Sequence, residues 1–162
     1  ARGGIELPDG TMITTNPLDG VQYTTLGPGA FVAQRSSSVV RNSFQSGVWQ
    51  ETTTNERIYA ALNLPHNARI VGVTAHVYDT VPENLRVQIL CKRLGDNTST
   101  IIGSNVFVPT DVGFASNTIA FDHAVDNQSG AYSVTVAPSS LDAWPGTNDL
   151  ALMSVVVSWV QE

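Results

Sequence analysis

The sequence predicts an all-β fold, a two-sheet antiparallel β-sandwich of jelly-roll type with an extended N-terminal arm. Three observations carry that expectation. No stretch of ten or more residues sustains helical periodicity, whereas several segments alternate apolar and polar residues with period two. Clusters of Gly, Pro, Asn and Asp separate these segments into about nine or ten short strands. Charged residues make up only 14% of the chain, well below the ~25% of ordinary soluble domains, and Thr, Ser, Asn, Val and Gly are abundant, a composition shared by many secreted β-proteins. At 162 residues the chain has the size of one domain and needs no covalent staples, because folding at that length buries roughly 70% of the unfolded surface. The expected division is an arm over residues 1–30 and a single sandwich over residues 31–162.

In order along the chain, residues 1–30 alternate brief extended pieces, Thr11 to Thr15 and Val21 to Leu26, with Pro-Asp-Gly, Asn-Pro and Gly-Pro-Gly breaks. Such a segment has little core of its own. It either adds an edge strand to its own sheet or lies along a neighbouring subunit by strand addition. Phe31 to Gln34, Val39 to Phe44 and Val48 to Thr53 are short strands, and Ile58 to Leu62 alternates Ile58, Ala60 and Leu62 against Tyr59 and Ala61. Pro65 removes a ladder donor and marks the start of the next strand. In that strand Val71, Val73, Ala75 and Val77 oppose Ile70, Thr74, His76 and Tyr78. The following strand places Leu85, Val87, Ile89 and Cys91 on one face and Arg86, Gln88 and Lys92 on the other, with Leu90 the apolar exception. Between them Asp79 to Asn84 carries turn residues, and the pair is expected to form a long antiparallel hairpin whose apolar face is covered by a second layer.

Beyond Gly95-Asp96-Asn97, Thr100 to Gly103 and Asn105 to Val108 read as one broken strand. Ile119, Phe121, His123 and Val125 then alternate with polar or small residues, and Tyr132, Val134 and Val136 share a face up to Pro138. Residues 141–148 form a loop. The last strand, Leu150 to Gln161, is largely apolar on both faces, which fits a strand in mid-sheet or at a subunit contact.

Composition excludes several functions. The net charge is −6 with no basic footprint, so nucleic acid is not an expected partner. No apolar run approaches the ~20 residues of a membrane helix, so no membrane insertion is expected. Cys91 is alone, which forbids an intramolecular disulfide, and its place on an apolar face predicts a buried, inert thiol. The sequence begins at Ala1 without methionine; removal of a signal peptide would give an extracellular or cell-surface location.

The block Ala61-Leu62-Asn63-Leu64-Pro65-His66-Asn67-Ala68, the strand ending in Val77-Tyr78-Asp79 and the following Asn84-Leu85-Arg86-Val87 resemble a group of uncharacterised secreted bacterial β-sandwich domains with an "NLPxGA" segment. Asp122-His123-Ala124-Val125-Asp126-Asn127 with Tyr132 is similar to that group's "HxVDN…Y" segment. The likeness spans roughly residues 28–160; Asn67, where glycine is commoner, and the N-terminal arm depart from it. The resemblance implies a fold and an extracellular setting, and no catalytic residues.

A hydrolase needs a nucleophile, a base and an orienting group. His66, His76 and His123 are the only histidines, and a Gly-x-Ser-x-Gly elbow is missing, so no enzymatic activity and no cofactor are expected. Asp122, Asp126 and Asn127, with Asp96 and Asn97 as a second cluster, supply oxygen ligands that calcium takes, although such residues in turns ordinarily cap their own backbone. Trp144, in a loop, is the candidate for stacking on a sugar ring, against the plainer reading of a lid on the core; Trp49 and Trp159 read as core or interface. Asn97-Thr-Ser and Asn127-Gln-Ser match the glycosylation pattern at a frequency chance explains. The core-poor arm and the two-faced last strand together predict self-association, a secreted subunit of a homo-oligomer or filament. Its interface would be Ile5, Leu7, Met12, Ile13, Val21, Tyr23, Leu26, Val156 and Val160. The alternatives are a carbohydrate-binding or adhesive module using the loops around Trp144 and Asp126, with glycans as partners, and a viral coat or decoration protein.

Overall fold

The computed structural model describes residues 5–6, 12–13, 20–36, 38–43, 45–52, 55–82, 84–96, 98–108, 113–139 and 143–161. Alternating β-branched residues produce strands almost throughout: β1 (Ile5–Glu6), β2 (Met12–Ile13), β3 (Gln22–Leu26), β4 (Val32–Ala33), β5 (Val40–Ser43), β6 (Gly47–Gln50), β7 (Ile58–Ala61), β8 (Ala68–Asp79), β9 (Leu85–Arg93), β10 (Ser99–Phe107), β11 (Gly113–Ala124), β12 (Gly130–Pro138) and β13 (Leu150–Gln161). One 3-10 turn, Pro28–Ala30, interrupts them. Apart from the two-stranded β1–β2 ladder, the strands form two antiparallel sheets that face each other across one core, the jelly-roll sandwich the sequence predicts. One sheet has five strands in the order β10-β9-β12-β7-β4. The other has six, β11-β8-β13-β6-β5 with β3 also paired to β13. Between them lie Ile58, Leu85, Val87, Ile89, Val134 and Val136 from the five-stranded sheet and Ile70, Val73, Val77, Leu150, Leu152, Val155 and Val157 from the other. Each of these large side chains is worth about 1.5–3 kcal/mol on burial.

The two strands around residue 80 do not form a hairpin. β8 pairs with β11 and β13, whereas β9 pairs with β10 and β12. Each has one apolar stripe, and that stripe is buried equally well by a partner strand's sheet or by the facing sheet, so periodicity alone does not distinguish hairpin from arch. The connection is pegged to both layers: Thr80 N–H donates to the Asp149 carbonyl at 2.8 Å, ahead of β13, and Ser139 N–H donates to the Asn84 carbonyl at 2.8 Å, behind β12.

The final strand lies in mid-sheet. One edge carries β8; the other is shared by β6 at Leu152 and by β3 along Val155–Trp159. Residues 22–26, inside the predicted arm, therefore pair with their own domain. Leu26 packs on the core, and Trp159 donates its indole N–H to Thr24 Oγ1 at 3.0 Å. The strand-donation reading is corrected accordingly: the β13 edge on which Val156 and Val160 lie is filled in cis, and a ladder already hydrogen-bonded has no donors to offer another molecule. Val21 and Tyr23 are exposed, Ile5, Met12 and Ile13 belong to the two-stranded β1–β2 ladder, and Leu7 lies outside the described residues.

Tight turns complete the frame. Asn67 sits at φ 63° in the turn before β8, a left-handed conformation that asparagine tolerates and glycine adopts freely. Gly103, at φ 67°, opens a bulge in β10 across which the register with β9 shifts between Ile102 and Val106. A Cβ there would stand 2.2 Å from the Phe121 ring of β11. Only glycine lets the bulge close the edge of the sandwich.

Candidate functional site

The outer face of the five-stranded sheet is built from the residues that alternate with the core. On β12, Val134 and Val136 point inward, so Ser133, Thr135 and Ala137 point out; on β9, Arg86, Gln88, Leu90 and Lys92 do the same opposite Val87 and Ile89. Register turns these alternations into rows. Val32 pairs with Tyr59, Tyr59 with Thr135, and Thr135 with Gln88. A second row runs Ala61, Ser133, Leu90, Ile101, and a third places Ala137 beside Arg86. With strands about 4.8 Å apart, Tyr59 and Gln88 stand about 10 Å from one another across Thr135.

The floor of this face is polar yet covered. Thr135 is 6% and Gln88 4% exposed, while Tyr59 retains 40% of its surface. Gln88 donates its side-chain amide to Asn105 Oδ1 at 2.8 Å, and Asn105 is delivered there by the bulge that Gly103 opens. β-Bulges re-aim side chains in this way. Beside this bond Thr135 Oγ1 and Arg86 Nε are buried without a hydrogen-bond partner. Each such group costs about 1–3 kcal/mol when left unpaired, a cost that a polar partner reaching the floor would relieve. Around it stand Tyr59, Val32 and Ile101, all exposed. Amides, hydroxyls and a guanidinium set beside an accessible ring suit a molecule that carries hydroxyl groups on its edges and C–H groups on its faces.

The residues singled out from sequence fall elsewhere. Trp144 is 0% exposed and donates its indole N–H to the Glu56 carbonyl at 2.9 Å, an acceptor shared with the Gln50 side-chain amide at 2.8 Å. A ring with no accessible face cannot stack on a sugar, so the stacking role is corrected and the lid reading stands. Trp49 and Trp159 pack partly against the core. Asp122, Asp126 and Asn127 do not converge. Asp122 pairs with Arg69 at 2.5 Å, and the Asn127 amide donates to the Leu64 carbonyl at 2.7 Å. The Asp126 carboxylate accepts from the Ser129 hydroxyl and Gln128 N–H, which hold it below the usual carboxylate range. Asp96 is likewise held low by the Thr98 hydroxyl and N–H. Among the described residues no three His, Cys, Asp or Glu side chains are grouped to hold a metal. His123, pushed down by burial, meets the Tyr132 hydroxyl at 3.2 Å, and that hydroxyl in turn accepts Asp126 N–H at 3.0 Å. This is a structural link. His66 accepts Asn127 N–H at the same end of the sandwich, and His76 lies on the opposite sheet.

That opposite face has a depression of about 280 Å³ lined by His76, Phe114, Ser116 and Met153. Phe114 is 73% exposed and contacts the Tyr78 ring at 5.0 Å. Among the described residues none of those lining it carries a buried unpartnered polar atom, and the five-stranded face is therefore the better candidate.

No family model matches the sequence, and no curated protein matches it. Solved structures do. The chain superposes on the CBM22-1 xylan-binding domain of Paenibacillus barcinonensis Xyn10C with a TM-score of 0.58 and 12% identity, covering 82% of this chain and 87% of that one. The fold is shared with carbohydrate-binding modules. A family 35 carbohydrate-binding module from Clostridium thermocellum gives a TM-score of 0.52 at 8% identity, over 84% of this chain and 97% of the module. The Podospora anserina GH26-CBM35 β-(1,4)-mannanase gives 0.51 at 10% identity, and there the match takes 86% of this chain but only 28% of the enzyme. These neighbours overturn the filament-subunit expectation: the sandwich is of the kind found in modules that bind glycans, some of them within larger enzymes. Among the described residues no helix is long and apolar enough to cross a membrane.

Sequence reading passed over Tyr59, Gln88, Asn105 and Thr135. The one signal was the wet face of β9, where Arg86, Gln88 and Lys92 alternate with core residues, and nothing in a linear sequence brings Tyr59 or Thr135 alongside it.

Proposed function

We propose that the domain is a non-catalytic carbohydrate-binding module that works outside the cell, with the outer face of the five-stranded sheet as its binding surface. The observation that carries this reading is the covered polar floor of Thr135, Gln88, Asn105 and Arg86, with two groups left unpartnered, beside the exposed ring of Tyr59. Tyr59 supplies the hydrophobic face against which C–H groups pack, and the floor supplies donors and acceptors for ring hydroxyls. The likeness in fold to a xylan-binding domain and to a family 35 module supports the class of ligand and leaves the sugar open. A low-charge, turn-rich surface suits such a role.

The test is calorimetry of the full chain against a panel of plant and microbial oligosaccharides. Binding in the micromolar to millimolar range is expected for at least one, lost on Tyr59→Ala and on Gln88→Ala. Phe114→Ala on the opposite sheet and Trp144→Phe in the core should leave it unchanged. Binding that survives Tyr59→Ala and Gln88→Ala but disappears with Phe114→Ala would move the site to the other face; no binding across the panel would refute the function.

A further inference from the structure

We infer that this surface is built for an acidic oligosaccharide, one that bears carboxylate or sulfate groups; the inference rests on the glycan-binding reading above. The chain is acidic, with a net charge of −6, and residues 82–162 hold most of that excess. Yet the charged side chains that the described strands direct onto this face are Arg86 and Lys92, and none is acidic. Charge of one sign, gathered on one face against the sign of the whole molecule, selects the ligand's charge.

Local geometry makes Arg86 the specific element. Its cross-strand neighbours are Ala137 on β12, a small side chain, and Phe107 on β10. Among the described residues it forms no ion pair, and its Nε is buried without a partner, next to the equally unpartnered hydroxyl of Thr135 in the adjoining row. A guanidinium presents its N–H groups as a planar fork that matches a carboxylate or sulfate with two parallel hydrogen bonds, and the Thr135 hydroxyl can donate a third. A shift of the Arg86 side chain that uncovers these two atoms would let one anion satisfy both at once, which a neutral hydroxyl does less well. Lys92 lies six residues further along β9, about 20 Å away. That spacing asks for a chain of several sugars with more than one negative charge, running along β9 over Gln88 and Leu90.

The experiment measures affinity of the full chain for three probes of matched length: a neutral xylo-oligosaccharide, an oligogalacturonate carrying carboxylates and a sulfated galactan oligosaccharide. Titrations run from about 50 to about 500 mM salt, across which screening falls to a few ångströms. One of the two acidic probes should bind about tenfold or more tighter than the neutral one at low salt, and the gap should narrow as salt rises. Arg86→Gln should remove most of the preference, weakening the acidic probe about tenfold more than the neutral one. Arg86→Lys should restore only part, since it keeps the charge and loses the fork. Lys92→Gln should reduce the salt dependence, and it reads the same property should Arg86→Gln lower stability. Which acidic probe wins separates carboxylate from sulfate recognition. A neutral probe that binds as well as the acidic ones overturns the inference and leaves the glycan-binding function intact. Acidic binding unaffected by Arg86→Gln and Tyr59→Ala marks diffuse attraction and also overturns it. If none of the three binds and the broader panel is silent too, the function itself fails.

Discussion

Replacing Thr135 by valine exchanges a buried hydroxyl for a methyl group of nearly the same shape, and the structure gives its effect an unusual sign. Both residues are β-branched and equally at home in a central strand. The backbone ladder to β7 and β9 is untouched by the change. What disappears is Oγ1, which is buried and has no hydrogen-bond partner. A hydroxyl in that position costs about 1–3 kcal/mol relative to a matched pair, so Thr135→Val should stabilise the free protein by about 1–2 kcal/mol. For a chain of this size that corresponds to a rise in Tm of about 2–6 °C, readable by calorimetry or by a shift in urea midpoint at constant m-value. The same variant should bind its glycan about 3–10-fold more weakly, the loss of one neutral hydrogen bond. Higher stability with weaker binding is the signature of a group held unsatisfied for a ligand. A fall in stability on Thr135→Val would mean that the hydroxyl is already engaged in the free protein, and the argument for the floor of this face would be lost; unchanged affinity would show that the hydroxyl does not face the ligand.

Other substitutions probe the frame around that face. Gly103→Ala forces a Cβ against Phe121 at a positive φ and should destabilise the fold by about 2–4 kcal/mol through overpacking and backbone strain, with binding reduced in the surviving folded fraction because Asn105 shifts; an unaltered thermal midpoint would contradict the bulge geometry. Asn67→Gly, at φ 63°, should be neutral or stabilising by up to about 1 kcal/mol, whereas Asn67→Val should cost more than that, both read by chemical denaturation. His123 has its folded pKa lowered by burial, so the unfolded chain takes up the proton first: its contribution to stability is complete above about pH 6.5 and declines as pH falls toward the folded value. His123→Gln keeps an acceptor for the Tyr132 hydroxyl and should flatten the stability profile just below about pH 6.5, while Asp126 and Asp96, both held low, matter only below about pH 4. A slope that persists in His123→Gln would assign it to another group.

The fold class was legible because burial on one side writes itself as alternation, and alternation survives without knowledge of the partner. Ile58 with Ala60, Leu85 with Val87 and Ile89, and Tyr132 with Val134 and Val136 all reach the core that their spacing predicts. Pairing is another matter. β8 and β9 are adjacent in sequence, each with one apolar stripe, and either a hairpin or an arch between sheets buries both stripes. The decision rests on Thr80 and Asn84, whose backbone groups are taken up by Asp149 and Ser139, more than fifty residues away. The same limit applies to residues 22–26. Their sequence shows an edge strand in search of a partner, and the partner is β13 of the same chain.

Function was hidden by a related rule. Trp144 and the Asp122–Asn127 segment are conspicuous in the sequence because polar and aromatic residues stand out in loops and at strand ends. In the folded domain those residues are spent on structure: Trp144 closes one end of the core and Asp126 caps its own turn. The proposed binding surface is assembled instead from residues that look ordinary on their own strands. Tyr59 is one of two exposed positions in a four-residue strand, Thr135 one polar position in a run of valines, and Gln88 one of three polar positions on the outer face of β9; they come together because the order β9-β12-β7 lays their outward positions in a single row. A surface of that kind changes ligand by exchanging side chains that carry no part of the core. Domains with this sandwich can therefore diverge in recognition while keeping the inward half of every strand, which accounts physically for a shared fold at 8–12% identity.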